Sequence, residues 1–422
     1  MHKKDSKKVA PLFPCPSLSL SKTTSVECLA VILSKALRDP SQALFTFSPH
    51  SKFSSAESVF AFCEAVHSDC RNGLYHSHIQ YLEFKRMDLE DPVIQNIAIA
   101  MNCLSLRNVC FYGCRMSKEG AAILGELWHY NDFLHVKHVA FEECDNLPAE
   151  EHAKKHKRSS CNFDSIISKF SPQPHQLIYV PQLEHISFRR TLLCTSSKLL
   201  LAMSLPALKN LLSLDLSGTG EWIGKTAFLL GQCIGALPNV ITWRFDHVDF
   251  CQARPHSAES RRPPVADSHM LLLGLRMQPQ SEFSSIIFQE DWTYLYHKNE
   301  LFLSQAKHLS IAHACSTPGE GSMALTSILN CFPNLESVDM SSALISHSFA
   351  PLVFNLINIR CPKLRKADFS GCSGQCVHES SCFVVTVSNI CLGYNLQFLH
   401  NSSHNQHMFQ AANLRLTSYV LP

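Results

Sequence analysis

An apolar frame that returns every 27 to 30 residues constrains this chain more than any other feature of its sequence. The frame is an apolar residue, two variable ones, an apolar, one variable, an apolar, two variable, a small residue or cysteine, one variable and a last apolar. It reads Leu106, Val109, Phe111, Cys114 and Met116 in LRNVCFYGCRM, and Val136, Val139, Phe141, Cys144 and, one residue late, Leu147 in VKHVAFEECDNL. LESVDMSSALI gives Leu335, Val338, Met340, Ala343 and Ile345, and CPKLRKADFSGC gives Leu364, Ala367, Phe369 and Cys372. Further copies begin at Ile79, Leu183, Leu211 and Val240, with weaker ones at Phe283, Ala306 and Leu396. The steps are 27 residues from Ile79 to Leu106, 30 to Val136, 28 from Leu183 to Leu211, 29 to Val240, and 29 twice from Ala306 through Leu335 to Leu364. Neither the period of a lone strand nor that of a helix produces this order, so the unit is a repeat.

Within each copy the second and third apolar positions are one residue apart, which puts both side chains on one face of a strand and the residues between them on the other. Strands are expected at 79–84, 106–111, 136–141, 183–188, 211–216, 240–245, 306–311, 335–340 and 364–369, side by side in one parallel sheet, with Phe369 filling the core beside Met340. Helix signals lie between them. Ser117 is a plausible cap ahead of KEGAAIL, and Pro92 after Asp91 stands where a helix can begin.

The pattern resembles the leucine-rich-repeat family, in which each unit is a strand and a helix stacked on its neighbours. The long period and RMSKEGAAILGELW look like the ribonuclease-inhibitor-like subclass, and the cysteines flanking CPKLRKADFSGC look like the cysteine-containing subclass common behind F-boxes. The resemblance covers roughly residues 79–400 and implies an α/β solenoid, with a curved parallel sheet on the concave face and helices on the convex face. Residues 1–22 read as a disordered N-terminus and 23–78 as an irregular N-terminal cap, with capping-box spacing at Thr24 to Glu27 and Ser54 to Glu57 around a strand-like ALFTF. Insertions are expected near 148–178 and 251–282, where the period lengthens to 47 and 66 residues, and 401–422 reads as a C-terminal cap or tail.

Composition narrows the function classes. With 37 Lys and Arg against 35 Asp and Glu the net charge is +2, which gives no global field for nucleic acid or an anionic membrane. No uncharged run reaches the length of a membrane span, and Pro11, Pro14 and Pro16 interrupt the N-terminal apolar stretch, against a secretory signal. The 19 cysteines suit reduced buried thiols better than a disulfide framework. A cytoplasmic location is expected, with the nucleus left open by the basic cluster Lys154, Lys155, Lys157 and Arg158; Arg261 and Arg262 form a second, smaller one.

Catalytic and metal chemistry has weak candidates. Cys372, Cys376, His378 and Cys382 are zinc-type donors, but their spacing is not that of a known knuckle and Cys372 belongs to the frame. Cys63, His67 and Cys70 lack a fourth donor. No Gly-rich phosphate loop, GxSxG elbow or HExxH pair occurs. No cofactor is therefore expected, and a cysteine- or zinc-dependent enzyme is the least favoured reading. A substrate-recognition subunit of a ubiquitin ligase is the alternative that the cysteine-containing subclass implies. SLRNVCFYGC only approaches an Elongin-binding box, and VECLAVILSKALRD lacks the Leu-Pro opening and later tryptophan of an F-box.

The favoured expectation is a non-enzymatic interaction scaffold or adaptor that recognises a protein partner on the concave face, with no small-molecule substrate, nucleic acid or membrane. The outward strand positions expected to carry it are Glu142, Glu143, Arg189, Arg190, Asp215, Arg244, Asp246 and His247, a patch of both signs that suits a protein better than a polyanion.

Overall fold

Paired apolar residues make each copy of the frame a short strand with one face that must leave water, and the computed structural model of the chain sets these strands against one another. It describes residues 32–33, 35–49, 56–128, 135–146, 160–170, 182–237, 239–250, 271, 305–313, 329, 331–343, 361–368, 384–385 and 398–399. In chain order the strands are β1 (Leu44–Phe47), β2 (Tyr81–Lys85), β3 (Asp88–Leu89), β4 (Asn108–Tyr112), β5 (Arg115–Met116), β6 (His138–Glu142), β7 (Asp145–Asn146), β8 (His185–Ser187), β9 (Ser213–Asp215), β10 (Thr242–Arg244), β11 (His308–Ser310), β12 (Ser337–Asp339), β13 (Lys366–Asp368), β14 (Val384–Val385) and β15 (Phe398–Leu399). Ten of them form one sheet in the order β1-β2-β4-β6-β8-β9-β10-β11-β12-β13, with every neighbouring pair parallel. With helices between strands, the chain is α/β.

All nine expected strands are in this sheet, each starting two residues later than the frame. The reason is the first frame residue. Ile79, Leu106, Val136 and Leu183 are buried, but they sit in a turn ahead of the ladder. There two successive N–H groups, those of Arg107 and Asn108, donate to the single carbonyl of Gln80. The tenth strand, β1, comes from the segment expected to be an irregular cap. Phe45 and Phe47 are buried in the same alternation as Leu82 and Phe84, and β1 pairs with β2.

One row of the core face is a run of phenylalanines. Phe47, Phe84, Phe111 and Phe141 stack ring on ring, with centroids 5.2, 4.9 and 5.0 Å apart and planes within 13° of parallel. Phe188 continues the run at 6.0 Å, after which Leu216 takes the same place. Burying each ring contributes roughly 2–3 kcal/mol. Helices Ala56–Arg71, Asp91–Met101, Lys118–Leu127, Thr195–Ser204 and Lys225–Ala236 supply buried residues to the same core. Ser117 caps the third of these, accepting the Gly120 N–H at 2.7 Å, and its hydroxyl donates to Asp91 Oδ1 at 2.5 Å, tying two successive helix starts together. Pro92 lies in the first turn of its helix, where it has no N–H to lose. At Gly125 a Cβ would come within 2.5 Å of the backbone at Ser165 and Ile166, so only glycine permits this approach.

The turn after each strand is also repeated. Cys114 Sγ donates to the Phe84 carbonyl at 3.3 Å and Cys144 Sγ to the Phe111 carbonyl at 3.5 Å, each reaching back to the preceding strand of the sheet. Just before this position the backbone turns to positive φ at Arg86, Gly113, Glu143, Arg190, Gly218, His247, His313 and Ser342. The turn aims each N–H at the carbonyl of the next strand or its turn: Arg86 donates to Tyr112, Gly113 to Glu142, Glu143 to Arg189 and Gly218 to Asp246, at 2.6–2.7 Å. Beyond it, β3, β5 and β7 form a small parallel sheet of their own, which the apolar frame does not predict.

Two expectations need correction. Residues 160–170, inside the segment expected to be an exposed insertion at 148–178, belong to the core: Phe163, Ile166, Ile167 and Phe170 are fully buried around the short helix Asp164–Ile167. Their helical spacing gives one apolar stripe that the charged run before them obscured. The weak copy at Leu396 does not extend the sheet, because β15 pairs antiparallel with β14. Thr24, Glu27, Ser54, Lys154, Lys155, Lys157, Arg158, Arg261, Arg262, Phe283, Phe369, Cys372, Cys376, His378 and Cys382 lie outside the described residues.

Candidate functional site

Strand register arranges the side chains opposite the core into three rows. The middle row runs Thr46, Glu83, Cys110, Ala140, Ser187, Asp215, Arg244, Ser310, Asp339 and Asp368, each residue paired with the next across the sheet. Two residues earlier lies a row that includes Tyr81, Asn108, His138, His185 and His308, and two residues later one that includes Lys85, Tyr112, Glu142, Arg189, Ser217 and Asp246. The positive-φ turns add a fourth line at the rim.

The eight residues expected to form the patch are distributed over these rows and brought close together. Asp215 and Arg244 are register partners in the middle row, with Arg244 Nη1 3.9 Å from Asp215 Oδ2. Glu142, Arg189 and Asp246 belong to the third row, and Glu143, Arg190 and His247 to the rim turns. Their acidic members are engaged inside the protein. Glu142 Oε1 accepts the Ser187 hydroxyl at 2.6 Å, and Arg190 Nη1 pairs with Glu143 Oε1 at 2.8 Å. Asp215 Oδ1 accepts the Ser217 N–H at 2.9 Å. Asp246 Oδ1 accepts both the Ser310 hydroxyl at 2.5 Å and the Ala312 N–H at 2.9 Å. Burial raises the Glu142 carboxyl above its ordinary value; the Ser187 hydroxyl opposes that rise and the nearby Asp215 adds to it.

Not all of the middle row faces outward as expected. Cys110, Ala140, Ser187 and Asp215 are buried on the open face, because short side chains there lie beneath taller neighbours of the third row. Tyr112 stands two residues on from Cys110 on the same face, and burial pushes the Cys110 thiol up to about 12. Such a thiol is no thiolate nucleophile at neutral pH.

Several residues of the face were not anticipated. His313 stacks on His247, with centroids 4.3 Å apart and planes 7° from parallel. Burial first, then the neighbouring His313, lowers the His247 pKa. His138 and His185 meet edge to face at 5.7 Å. Only the register, which brings together residues 66 or 47 positions apart in sequence, could have revealed these pairs.

Away from this face, a cleft of about 200 Å³ is lined by residues including Tyr75, Ser77, Asn102, Leu106 and His135, with no carboxylate among the described residues of its lining. Lys198, nearly fully buried, donates to the Glu221 carbonyl at 2.6 Å and is pulled down to about 8 by burial. Among the described residues no group of three or more His, Cys, Asp or Glu is placed to hold a metal ion; Cys63, His67 and Cys70 all lie on helix Ala56–Arg71. Among the same residues no helix is long and apolar enough to cross a membrane. No protein-family model matches the chain, and no curated protein matches it.

Proposed function

We propose that the chain is a leucine-rich-repeat solenoid, its sheet curved with the open face concave and its helices convex, that acts inside the cell as a non-enzymatic scaffold or adaptor recognising a protein partner on that face. The repeat reading is supported by the frame and by strands that follow one another across the sheet in chain order. An intracellular site is supported by Cys114, Cys144 and Cys233, which are thiols in the core. One observation carries the functional reading. Register gathers charged side chains from strands far apart in sequence onto one open face, where exposed Arg189 and Arg244 contribute nothing to the core.

The test is a pull-down comparing wild type with the triple variant Arg189→Glu, Arg190→Glu, Arg244→Glu, after circular dichroism shows that both are folded. A protein retained by wild type and lost from the variant is the expected result, because reversed charge repels what the arginines had oriented. Full retention by the triple variant, with loss on deleting residues 149–158 and 252–268, would move the site off the sheet.

A further inference from the structure

The signs of the charges on the open face balance in the sequence but not in what they offer to a partner. Each acidic residue of the patch has an internal partner: Ser187 for Glu142, Arg190 for Glu143, Ser217 for Asp215, and Ser310 with Ala312 for Asp246. Of the arginines, Arg190 is matched by Glu143, whereas Arg189 and Arg244 are not. Arg189 is exposed; its charge acts on the nearby Glu142 through space, but among the described residues its guanidinium makes no ion pair or hydrogen bond. Arg244, about half exposed, has a single approach to a carboxylate, Asp215, at 3.9 Å, too long for a hydrogen bond. The hydrogen-bonding capacity directed outward is therefore cationic, although the local formal charge is not.

From this complementarity we propose that the face between β8 and β10 binds an extended acidic segment of a protein, with Arg189 and Arg244 each clamping one carboxylate side chain of the segment. This rests on the reading of the face as a protein-binding surface. Arg189 follows Ser187 by two residues, and Ser187 is in register with Asp215 and then Arg244. The two arginines are thus two strands apart and offset by two residues, a Cα separation of roughly 12 Å. In an extended peptide, residues i and i+4 point the same way and lie about 13 Å apart. The ligand is accordingly a segment with two Asp or Glu residues four positions apart. The guanidinium fork suits a carboxylate, which it can hold with two parallel hydrogen bonds. A continuous polyanion fits less well, because Asp215 lies between the two arginines and Glu142 and Asp246 flank them.

The experiment is selection of a phage-displayed random dodecapeptide library on the intact chain and on the Arg189→Gln, Arg244→Gln double variant, with single-stranded oligonucleotide binding measured on both. Both side chains are exposed, so the double variant folds; circular dichroism checks this. The expected result is at least tenfold enrichment of peptides with carboxylates at i and i+4 on wild type, lost on the double variant. Acidic peptides enriched equally on both proteins, no enriched peptides at all, or oligonucleotide binding that depends on the two arginines would each overturn the proposal. Neutral or basic peptides enriched on wild type and lost on the variant would overturn it while leaving the protein-binding reading intact. Neutral or basic peptides enriched equally on both proteins would overturn the proposal and place peptide binding away from the two arginines.

Discussion

The Cys144 N–H donates to Thr191 Oγ1 at 3.0 Å, and the Thr191 hydroxyl passes its own proton donation on to the Phe141 carbonyl at 2.6 Å. Thr191 thus holds after β8 the turn position that Cys144 and Cys114 hold after β6 and β4, and reaches back to the preceding strand of the sheet as they do. A hydroxyl and a thiol are interchangeable in place, though not in strength, since the thiol is the weaker donor.

Thr191→Val keeps the shape and removes both hydrogen bonds, leaving a buried N–H and a buried carbonyl without this partner. Stability should fall by about 2 kcal/mol or more, whereas Thr191→Ser should stay within about 1 kcal/mol of wild type. Urea midpoints for the two variants decide it; equal midpoints would mean that the hydroxyl is idle.

Phe111 is the middle ring of the stack, between Phe84 and Phe141. Phe111→Ala should lower stability by about 3–5 kcal/mol, and Phe111→Leu by about 1–2 kcal/mol, since neither neighbour can close the gap without leaving its own strand. Denaturant unfolding followed by far-ultraviolet circular dichroism measures both.

Acid should weaken the fold through His138. Burial first, and then the adjacent His185, pull its imidazole down to about 4. The unfolded chain takes up that proton near pH 6.5, so between there and about 4 the unfolded state binds more protons, and stability present above that window is lost as pH falls through it. The full effect is on the order of 3 kcal/mol. Urea midpoints at pH 7.5 and 5.0 should drop more for wild type than for His138→Gln; parallel drops would contradict the assignment.

At the rim, Gly218 has φ +67°, and a Cβ there would stand 3.1 Å from Arg190 Cα. Gly218→Ala should therefore lower stability by about 1–2 kcal/mol. Ser342, at φ +55°, occupies the same kind of turn with a side chain, and Ser342→Gly should raise stability by about 0.5–1 kcal/mol. Thermal unfolding of both variants shows whether the changes have opposite signs.

The sheet was readable because its determinants are local: two apolar residues one apart, repeated at a fixed step, specify strand, face and neighbour together. Strand starts were misplaced because a buried residue such as Leu106 looks alike in sequence whether it is in the ladder or in the turn before it. The patch was readable only as a set of positions. That Glu142 would be engaged by Ser187 while Arg189 stayed exposed depends on which residues 45 positions apart come into register, and no local pattern encodes that. Cys110 was expected outward for the same reason, since only the neighbouring Tyr112 and the adjoining strands bury it.

The pairing of β6 with β8 joins Val139 to Ile186, and that of β10 with β11 joins Trp243 to Leu309, in the same register as strands separated by fewer than 30 residues. The sheet measures neighbours, not the length of chain between them. A longer connection at either junction costs only the slowly growing entropy of closing a larger loop, and the strands on its two sides still meet in the same register.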